Sequence, residues 1–293
     1  MDNVVVLAVV GVVVVVGVLL FTRTKKGTPV AATALTEQYQ PFVLSQKTNV
    51  SHNTIMFRIK LPSSTQRLGL PVGKHVLLKF TDEKGEAVSR PYTPVTSDDA
   101  LGYFDLVIKV YPSGRMSQHL ARLDVGKTID VRGPLGEIHY QGQGQFSVRR
   151  RDPASGKNVW TPKQVKRVSM IAGGTGITPM LQIVREVFKK GDDPTEISLI
   201  FGNITEDDIL LRNELEHYLK SYSRQFKLFY TLDKPNTGWT AGVGFVSVDM
   251  IQKHLFPAAP DAITLVCGPP GMVKAMQKNL EGCDITPDQY FCY

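Results

Sequence analysis

A glycine-rich segment is the first feature of this chain that could bind a charged ligand. Residues 171–180 read IAGGTGITPM, and an apolar segment typical of a helix follows them. Glycines allow the backbone to approach a pyrophosphate, and the first turn of a helix offers free N–H groups to it. No Gly-Lys-Ser/Thr sequence follows, so the segment is not a P-loop that hydrolyses ATP. Taken alone, it fits a structural turn as well as a ligand loop.

A second turn of the same kind lies near the C-terminus. Residues 267–272 read CGPPGM and again join a predicted strand to a predicted helix. Two such turns at the carboxyl ends of parallel strands could close over one dinucleotide. Cys267 would then face the cleft, although a lone cysteine is more often a small buried side chain.

Three short motifs in the first half of the chain form a third candidate site for a cofactor that carries phosphate. They read RPYT at 90–93, VIKVY at 107–111 and GRMS at 114–117. The planar guanidinium of Arg90 suits a diphosphate, and the ring of Tyr92 suits a flat cofactor. Each residue could equally be structural, Arg90 as an ion-pair partner and Tyr92 as a core aromatic. The ordered series favours the cofactor.

One acidic residue bears on the choice of dinucleotide. Asp233 ends the predicted strand FYTLD. A carboxylate at that point accepts a hydrogen bond from the 2′-hydroxyl of the adenosine ribose and repels a 2′-phosphate. An ordinary turn aspartate is the structural alternative, but the position at a strand tip favours the ligand role, and we expect NADH to be preferred over NADPH.

The elements that would position these residues follow two patterns. Between residues 39 and 147, short runs rich in β-branched and aromatic residues alternate with Gly, Pro, Asp and Ser. This pattern predicts an antiparallel β-barrel or sandwich. The predicted strands are 54–61, 74–80, 103–111 and 128–132, with one helix at 116–123. A charged stretch at 148–165 is interpreted as a linker or surface loop.

Residues 166–293 alternate predicted strands with predicted helices. The strands are 168–172, 197–201, 227–232 and 262–267, and the helices are 179–188, 206–222, 248–254 and 271–280. Such alternation predicts a Rossmann-like α/β domain with a mostly parallel sheet, which binds ligands at the carboxyl ends of its strands.

The N-terminus has the composition of a membrane anchor. Residues 4–21 carry no charge and no proline, and a helix of that length spans about 27 Å, close to the hydrocarbon thickness of a bilayer. We interpret 1–26 as a transmembrane helix and 27–38 as a linker. The cations at 23, 25 and 26 follow the apolar run. Their position opposes a cleaved signal peptide and predicts that the rest of the chain stays in the cytosol.

Composition narrows the class of protein further. The 293 residues carry a formal net charge of +7 and three cysteines. An odd number of cysteines without paired spacing argues against a disulfide framework or a cysteine zinc site, and favours a reducing compartment. Basic residues cluster at 149–151, 157, 163, 166 and 167, which suits a solvated loop or a docking patch for an acidic protein. No nucleic-acid recognition motif accompanies them.

The five motifs RPYT, VIKVY, GRMS, GGTGITPM and CGPPGM, in this order, resemble those of the ferredoxin–NADP reductase superfamily. Within it, the chain from about Tyr39 onward is most similar to the NADH–cytochrome b5 reductases, in the membrane-anchored form found in fungi. The resemblance implies an FAD-binding antiparallel barrel followed by an α/β domain for NADH. It implies no metal.

The resemblance also implies which residues bind the two cofactors. Arg90, Met116 and Ser117 would hold the FAD pyrophosphate, and Tyr92 and Thr93 would lie against the isoalloxazine. The full set of implied cofactor-binding residues is Arg90, Pro91, Tyr92, Thr93, Val107, Lys109, Tyr111, Gly114, Arg115, Met116, Ser117, Gly173, Gly174, Thr175, Gly176, Thr178, Asp233, Cys267, Gly268 and Pro269.

Five residues are implied to act near the reacting atoms. His75 would take part in flavin protonation through Thr93, although a lone histidine on a strand is otherwise more often structural. Lys109 would contact the flavin and reach toward NADH. Thr175 would lie where flavin and nicotinamide meet, and Cys267 would border the nicotinamide.

The implied reaction is a relay in which NADH gives a hydride to FAD, and single electrons then pass to cytochrome b5, an acidic haem protein. Arg115, Lys163 and Lys166 are candidates for steering this acceptor. Similarity to fungal relatives adds an iron protein of diphthamide synthesis as a second expected acceptor. It also favours the mitochondrial outer membrane as the location, with the endoplasmic reticulum as the alternative. The alternative functions are reduction of a quinone, ferric or oxygen acceptor, and a nucleotide-binding membrane tether without turnover.

Overall fold

The computed structural model describes residues 32–152 and 154–293. The predicted transmembrane helix, 1–26, and the first part of the predicted linker lie outside these residues. Within the two described ranges, none of the helices is both long and apolar enough to cross a membrane.

The first half of the described chain forms a six-stranded, barrel-like antiparallel sheet with one helix. Its elements are β1 Gln40–Ser51, β2 Thr54–Lys60, β3 His75–Thr81, β4 Ala87–Tyr92, β5 Tyr103–Lys109, α1 Arg115–Arg122 and β6 Thr128–Leu135, in the strand order β4-β3-β6-β1-β2-β5. Successive side chains of a strand point to opposite faces, and in β2 Phe57 and Ile59 are buried while Lys60 is exposed. These inward side chains pack with Leu120 of α1 into one apolar core.

Residues 148–165 are not a linker, because they belong to a second antiparallel sheet. Its three strands are β7 Ile138–Tyr140, β8 Gln145–Arg151 and β9 Asn158–Gln164. In β8, the buried Phe146 and Val148 alternate with exposed or half-buried polar side chains. The run of arginines that ends this strand concealed its two-residue period from the sequence analysis.

Two cations of the predicted docking patch hold the C-terminal segment. Arg150 donates hydrogen bonds to the carbonyl oxygens of Pro287 and Tyr290, at 2.5 and 2.6 Å. Lys163 donates one to the carbonyl oxygen of Asp288 at 3.1 Å. Both charged groups are therefore engaged within the chain.

The second half forms a six-stranded parallel sheet with helices packed against it. Its elements are β10 Arg167–Gly173, α2 Ile177–Lys189, β11 Glu196–Asn203, α3 Arg212–Ser221, β12 Phe226–Leu232, β13 Gly242–Val243, α4 Val248–His254, β14 Ala262–Cys267, α5 Pro270–Glu281 and β15 Tyr290–Cys292. The strand order is β13-β12-β11-β10-β14-β15, with every pair parallel. β10 and β14 are buried along almost their whole length, as expected for a parallel sheet covered on both faces. The predicted α/β domain is confirmed.

The predicted helix at 206–222 is interrupted. A short 3-10 turn, Glu206–Asp208, comes first, and α3 begins after a break. Leu211 has a φ of +58°, a left-handed conformation that does not occur inside a right-handed helix. Thr205 caps the short turn by exchanging hydrogen bonds with Asp208. The periodic apolar residues correctly indicated helical structure in this segment. The cap at Thr205 and the left-handed Leu211 divide it into a short turn and a helix.

The second part of the predicted linker packs against the antiparallel sheet. The backbone N–H groups of Ala34 and Leu35 donate to the carbonyl oxygens of Arg67 and Leu68, at 2.9 and 3.0 Å. Both side chains are buried in the core of this sheet. Because burial of apolar side chains is favourable, residues 32–36 belong to the folded domain.

Candidate functional site

One cavity brings most of the predicted site residues together. It has a volume of about 740 Å³ and is lined by loops and strands of both halves and by the C-terminal residues. The predicted residues on its wall are His75, Arg90, Pro91, Tyr92, Thr93, Val107, Lys109, Tyr111, Gly114, Arg115, Met116, Ser117, Thr175, Gly176, Thr178, Cys267, Gly268 and Pro269. Gly173, Gly174 and Asp233 are not on this wall.

The end of β4 presents a free cation and a neutral aromatic ring to the cavity. The exposed Arg90 guanidinium donates to the carbonyl oxygen of Ser89 at 2.7 Å, and none of the ion pairs in the described residues includes Arg90. Burial raises the pKa of Tyr92 to about 12, despite the nearby charge of Arg90. The pair therefore offers a cation for a diphosphate and an uncharged ring for a flat group.

The start of α1 supplies backbone N–H groups to the same wall. Ser117 Oγ donates to the carbonyl oxygen of Gly114 at 3.1 Å and accepts from the N–H of Tyr111 at 3.3 Å. A Cβ on Gly114 would lie 2.3 Å from that Oγ, so a larger residue there would displace the Ser117 hydroxyl from these hydrogen bonds. No side chain caps α1, which leaves its first N–H groups available to an anion.

Arg115 is held by acidic residues. Its Nη2 contacts carboxylate oxygens of Asp82 and Glu86, the latter at 2.8 Å. Two carboxylates balance its charge, so Arg115 is a weaker candidate for steering an acceptor than the sequence suggested.

His75 is the first residue of β3 and lines the cavity. Burial lowers the pKa of its imidazole, and the charge of Lys74 lowers it further. The ring is therefore neutral at physiological pH. Within residues 32–152 and 154–293, no hydrogen bond joins His75 to Thr93, although both line the cavity. Their relay stays a prediction.

Lys109, at the end of β5, forms an ion pair across the boundary between the two halves. Its Nζ lies 2.6 Å from Oδ1 of Asp208, and the two side chains are only 11% and 5% exposed. Burial by itself would raise the pKa of the Asp208 carboxyl, but hydrogen bonds from Lys109 and Thr205 outweigh burial and lower this pKa to about 2. Sequence analysis identified Lys109 and missed Asp208.

The two glycine-rich turns touch one another at the carboxyl edge of the parallel sheet. A Cβ on Gly176 would lie 2.2 Å from the carbonyl oxygen of Cys267, and one on Gly173 would lie 2.3 Å from Sδ of Met272. Close packing of the turns therefore requires glycine at residue 176, where the clash is with backbone, whereas at residue 173 the flexible Met272 side chain would have to move. Gly174 has a φ of +52° and open space beside it, so it is the glycine beside which a ligand has room to approach.

Cys267 and Tyr293 close the far wall of the cavity. Burial raises the pKa of the Cys267 thiol to about 12, and Cys292 adds to this effect. The thiol is therefore protonated and is a poor nucleophile. The backbone N–H of Tyr293 donates to the carbonyl oxygen of Val266 at 3.0 Å. The Tyr293 hydroxyl is buried, and no protein group in the described ranges hydrogen-bonds to it.

Asp233 follows β12 at the same edge of the sheet. It is exposed, and burial of part of the carboxyl raises its pKa. The backbone N–H of Gly244, the residue before Phe245, donates to the carbonyl oxygen of Leu232, the residue before Asp233, at 2.8 Å. Phe245 is 82% exposed. Sequence analysis missed this aromatic side chain, although its place in the glycine-containing run GVGFV was visible.

Comparisons with known proteins match two families to separate parts of the chain. Residues 41–140 match the family described as oxidoreductase FAD-binding domain, and residues 170–278 match the oxidoreductase NAD-binding domain. These ranges cover the antiparallel sheet and most of the parallel sheet.

Several similar proteins are named as cytochrome b5 reductases or contain a domain of that name. NADH-cytochrome b5 reductase 2 of Xenopus laevis is 50% identical over 250 residues, which are 82% of this chain and 83% of that protein. NADH-cytochrome b5 reductase 1 of Homo sapiens is 46% identical over 260 residues, 85% of this chain and 84% of that protein. The crystal structure of the cytochrome b5 reductase domain of Ulva prolifera nitrate reductase has a TM-score of 0.81 at 39% identity, covering 89% of this chain and 100% of that one.

Proposed function

The chain belongs to the NADH–cytochrome b5 reductase family, and from this premise we propose that it binds FAD, takes a hydride from NADH and delivers single electrons to cytochrome b5. The observation that carries this proposal is the shared cavity, because the RPYT and GRMS motifs of one half and the glycine-rich turns of the other line the same wall. When bound, FAD supplies the chemistry that joins a two-electron donor to a one-electron acceptor.

The residues of the antiparallel half fit the flavin cofactor. Arg90 has no acidic partner among the described side chains, and the first N–H groups of α1 are uncapped by side chains. Together they would hold a pyrophosphate by charge and by hydrogen bonds. Tyr92 would pack its neutral ring against the flavin. His75 is neutral and can accept a proton on a ring nitrogen.

The residues of the parallel half fit a dinucleotide. The start of α2 would bind the NADH pyrophosphate, with Gly174 leaving room for its approach. Asp233 would accept a hydrogen bond from the ribose 2′-hydroxyl, and the exposed ring of Phe245 would stack on the adenine. The buried hydroxyl of Tyr293 would gain a polar partner when the cavity fills.

The position of the nicotinamide would be fixed by steric contact and by hydrogen bonds. Thr178 Oγ1 donates to the carbonyl oxygen of Thr175 at 3.1 Å, which orients this turn at the junction of the halves. Cys267 carries a protonated, buried thiol, so its expected contribution is shape and exclusion of water. Holding donor and acceptor together in this way is a main source of rate enhancement.

A spectroscopic titration tests the proposal. The full-length chain, purified in detergent without added cofactor, should show a flavin absorption spectrum. NADH should bleach it stoichiometrically under anaerobic conditions and NADPH only poorly, and oxidised cytochrome b5 should then restore it. A colourless protein that takes up no FAD would overturn the proposal. Reoxidation by a quinone or ferric chelate, but not by cytochrome b5, would replace the acceptor.

We also propose that residues 4–21 anchor the chain to the cytosolic face of the mitochondrial outer membrane. The support is the uncharged run and the cations that follow it. The chain should stay with mitochondrial membranes after carbonate extraction, whereas a variant lacking 1–26 should be released. Recovery with the endoplasmic reticulum would contradict the location, and release of the full-length chain would contradict the anchor.

A second acceptor is proposed by similarity to fungal relatives alone, namely an iron protein of diphthamide synthesis. Adding that protein in oxidised form should accelerate NADH oxidation by the flavin-loaded reductase. An unchanged rate would remove it from the proposal and leave the cytochrome b5 reaction untouched.

A further inference from the structure

One buried carboxylate of the parallel half faces several residues of the antiparallel half. Asp208 lies in the 3-10 turn after β11. Nζ of Lys109 lies 2.6 Å from its Oδ1, Nδ2 of Asn53 donates to the same oxygen at 3.4 Å, and Nε2 of His52 lies at 4.0 Å. A buried carboxylate with several polar partners is free to move much less than a carboxylate in an exposed ion pair. Asp208 is therefore a fixed point between the two halves.

The two carboxylate oxygens of Asp208 contact different groups. Oδ2 accepts hydrogen bonds from the backbone N–H and the hydroxyl of Thr205, at 3.1 and 2.9 Å. These bonds orient the carboxylate from within its own turn. Oδ1 is consequently presented to Lys109.

Lys109 connects this contact to the cavity, because it is one of the residues on the cavity wall. Its four-carbon stem is flexible, so β5 alone does not fix the ammonium group. On the basis of the proposed function, we propose that Asp208 is a positioning residue: it holds the Lys109 ammonium at the cavity wall and thereby sets the affinity for the nicotinamide cofactor and the reduction potential of the flavin. The parallel half would thus adjust the flavin site through one side chain.

Asp208→Asn is the direct test, because it removes the charge and keeps the size. We expect the dissociation constant for NAD⁺ to rise about tenfold, since coupling within one ion-pair network has this order. The flavin potential should rise, because the unbalanced ammonium stabilises the negative charge of the reduced cofactor. Each tenfold stabilisation of the reduced form corresponds to about 30 mV for a two-electron couple. A dithionite titration measures this potential without NADH or an acceptor.

A matched control and a double variant separate positioning from structure. Asp207 is exposed in the same turn, so Asp207→Asn removes the same charge and should change neither quantity. In a Lys109→Gln background, Asp208→Asn should have no further effect on NAD⁺ affinity, because the group through which it acts is absent. An equal loss of NAD⁺ affinity with and without Lys109 would overturn the proposal, as would identical behaviour of the two Asn variants.

A longer acid keeps the proposal testable if Asp208→Asn does not fold. Asp208→Glu retains the charge but displaces the ammonium, so the potential should stay near the wild-type value while NAD⁺ affinity falls. If both quantities stay unchanged, Asp208 only links the two halves and the proposal fails. Failure of the proposed function can be told apart from failure of the Asp208 proposal, because in the former case the wild-type protein itself would bind no FAD or would not be reduced by NADH.

Discussion

Gly176 packs against the backbone of Cys267 so closely that a Cβ at residue 176 would lie 2.2 Å from the Cys267 carbonyl oxygen. The two residues belong to the two turns that carry the glycine-rich motifs. Gly176 has a φ of −62°, which any residue adopts. The close approach of the turns, and not the backbone conformation, therefore requires glycine at this position.

Gly176→Ala should separate the two turns. We expect a loss of about 1–3 kcal/mol in the free energy of unfolding, because overpacking displaces backbone that cannot relax cheaply. NAD⁺ should also bind more weakly, since both turns line the cavity. Urea denaturation and NAD⁺ titration measure the two effects.

Gly271→Ala is the matched control for this substitution. Gly271 lies in the first turn of α5, and a Cβ there would meet nothing within 4 Å. Alanine at a helical position is favourable by up to about 1 kcal/mol, so this variant should be at least as stable as the wild type. Equal behaviour of the two variants would contradict the packing argument.

Asp233 and Phe245 should affect dinucleotide binding in different ways. Asp233→Asn removes the charge that repels a 2′-phosphate, so the ratio of kcat/KM for NADH over NADPH should fall by about tenfold or more. Phe245→Ala should weaken both dinucleotides alike, by the roughly 1–3 kcal/mol typical of stacking between a base and an aromatic side chain. Steady-state kinetics with both donors distinguish these outcomes. Asp207→Asn, at another exposed position, should leave the ratio unchanged, and a ratio altered by Phe245→Ala would contradict the assignment.

Sequence patterns predicted those strands in which nearly all side chains are buried. β10 and β14 are mostly apolar, with only Ser169 and Thr264 as polar residues in their buried parts, and the parallel sheet is covered on both faces there. β8 was missed because its final residues are a run of charged side chains, although Phe146 and Val148 are buried. Period-two patterns are weakest where one face is strongly charged.

Contacts between the two halves were beyond the reach of sequence patterns. Lys109 and Asp208 are 99 positions apart, and neither residue has a local feature that points to the other. An ion pair between residues so far apart in sequence depends on how the two halves of the chain pack. The hydrophobic periodicity of single strands and helices carries no information about that packing. The cavity residues were predictable because each motif marks a turn or strand end, whereas the group that orients Lys109 was not.

His75 should give the reaction an acidic limit. Burial, and after it the charge of Lys74, lower the pKa of this imidazole from its ordinary value of 6.5. The folded protein thus binds this proton less readily than the unfolded chain, so stability is retained above about pH 6.5 and falls as the pH decreases below it. If the neutral ring accepts the proton that the flavin would release on oxidation, the rate of reoxidation by cytochrome b5 should fall as the pH decreases toward the lowered pKa of His75.

His75→Gln tests both effects. It should flatten the pH dependence of the reoxidation rate and reduce the difference in urea midpoint between about pH 8 and about pH 5.5. His217→Gln, at an exposed position, should leave both curves as in the wild type. A rate profile that His75→Gln does not alter would remove His75 from the proton path.

Tyr293 lines the cavity, and its hydroxyl is buried without a hydrogen-bond partner among residues 32–152 and 154–293. An unsatisfied buried polar group costs about 1–3 kcal/mol. Tyr293→Phe removes this hydroxyl and keeps the ring that packs against Phe291, with which it has a ring-centroid distance of 5.2 Å. Without nicotinamide cofactor, the variant should therefore be as stable as the wild type or more stable. With NAD⁺ present the order should reverse, because the wild-type hydroxyl gains a partner. Thermal unfolding with and without NAD⁺ measures this exchange. If Tyr293→Phe lowers stability equally in both conditions, the hydroxyl supports the protein interior and does not serve the bound cofactor.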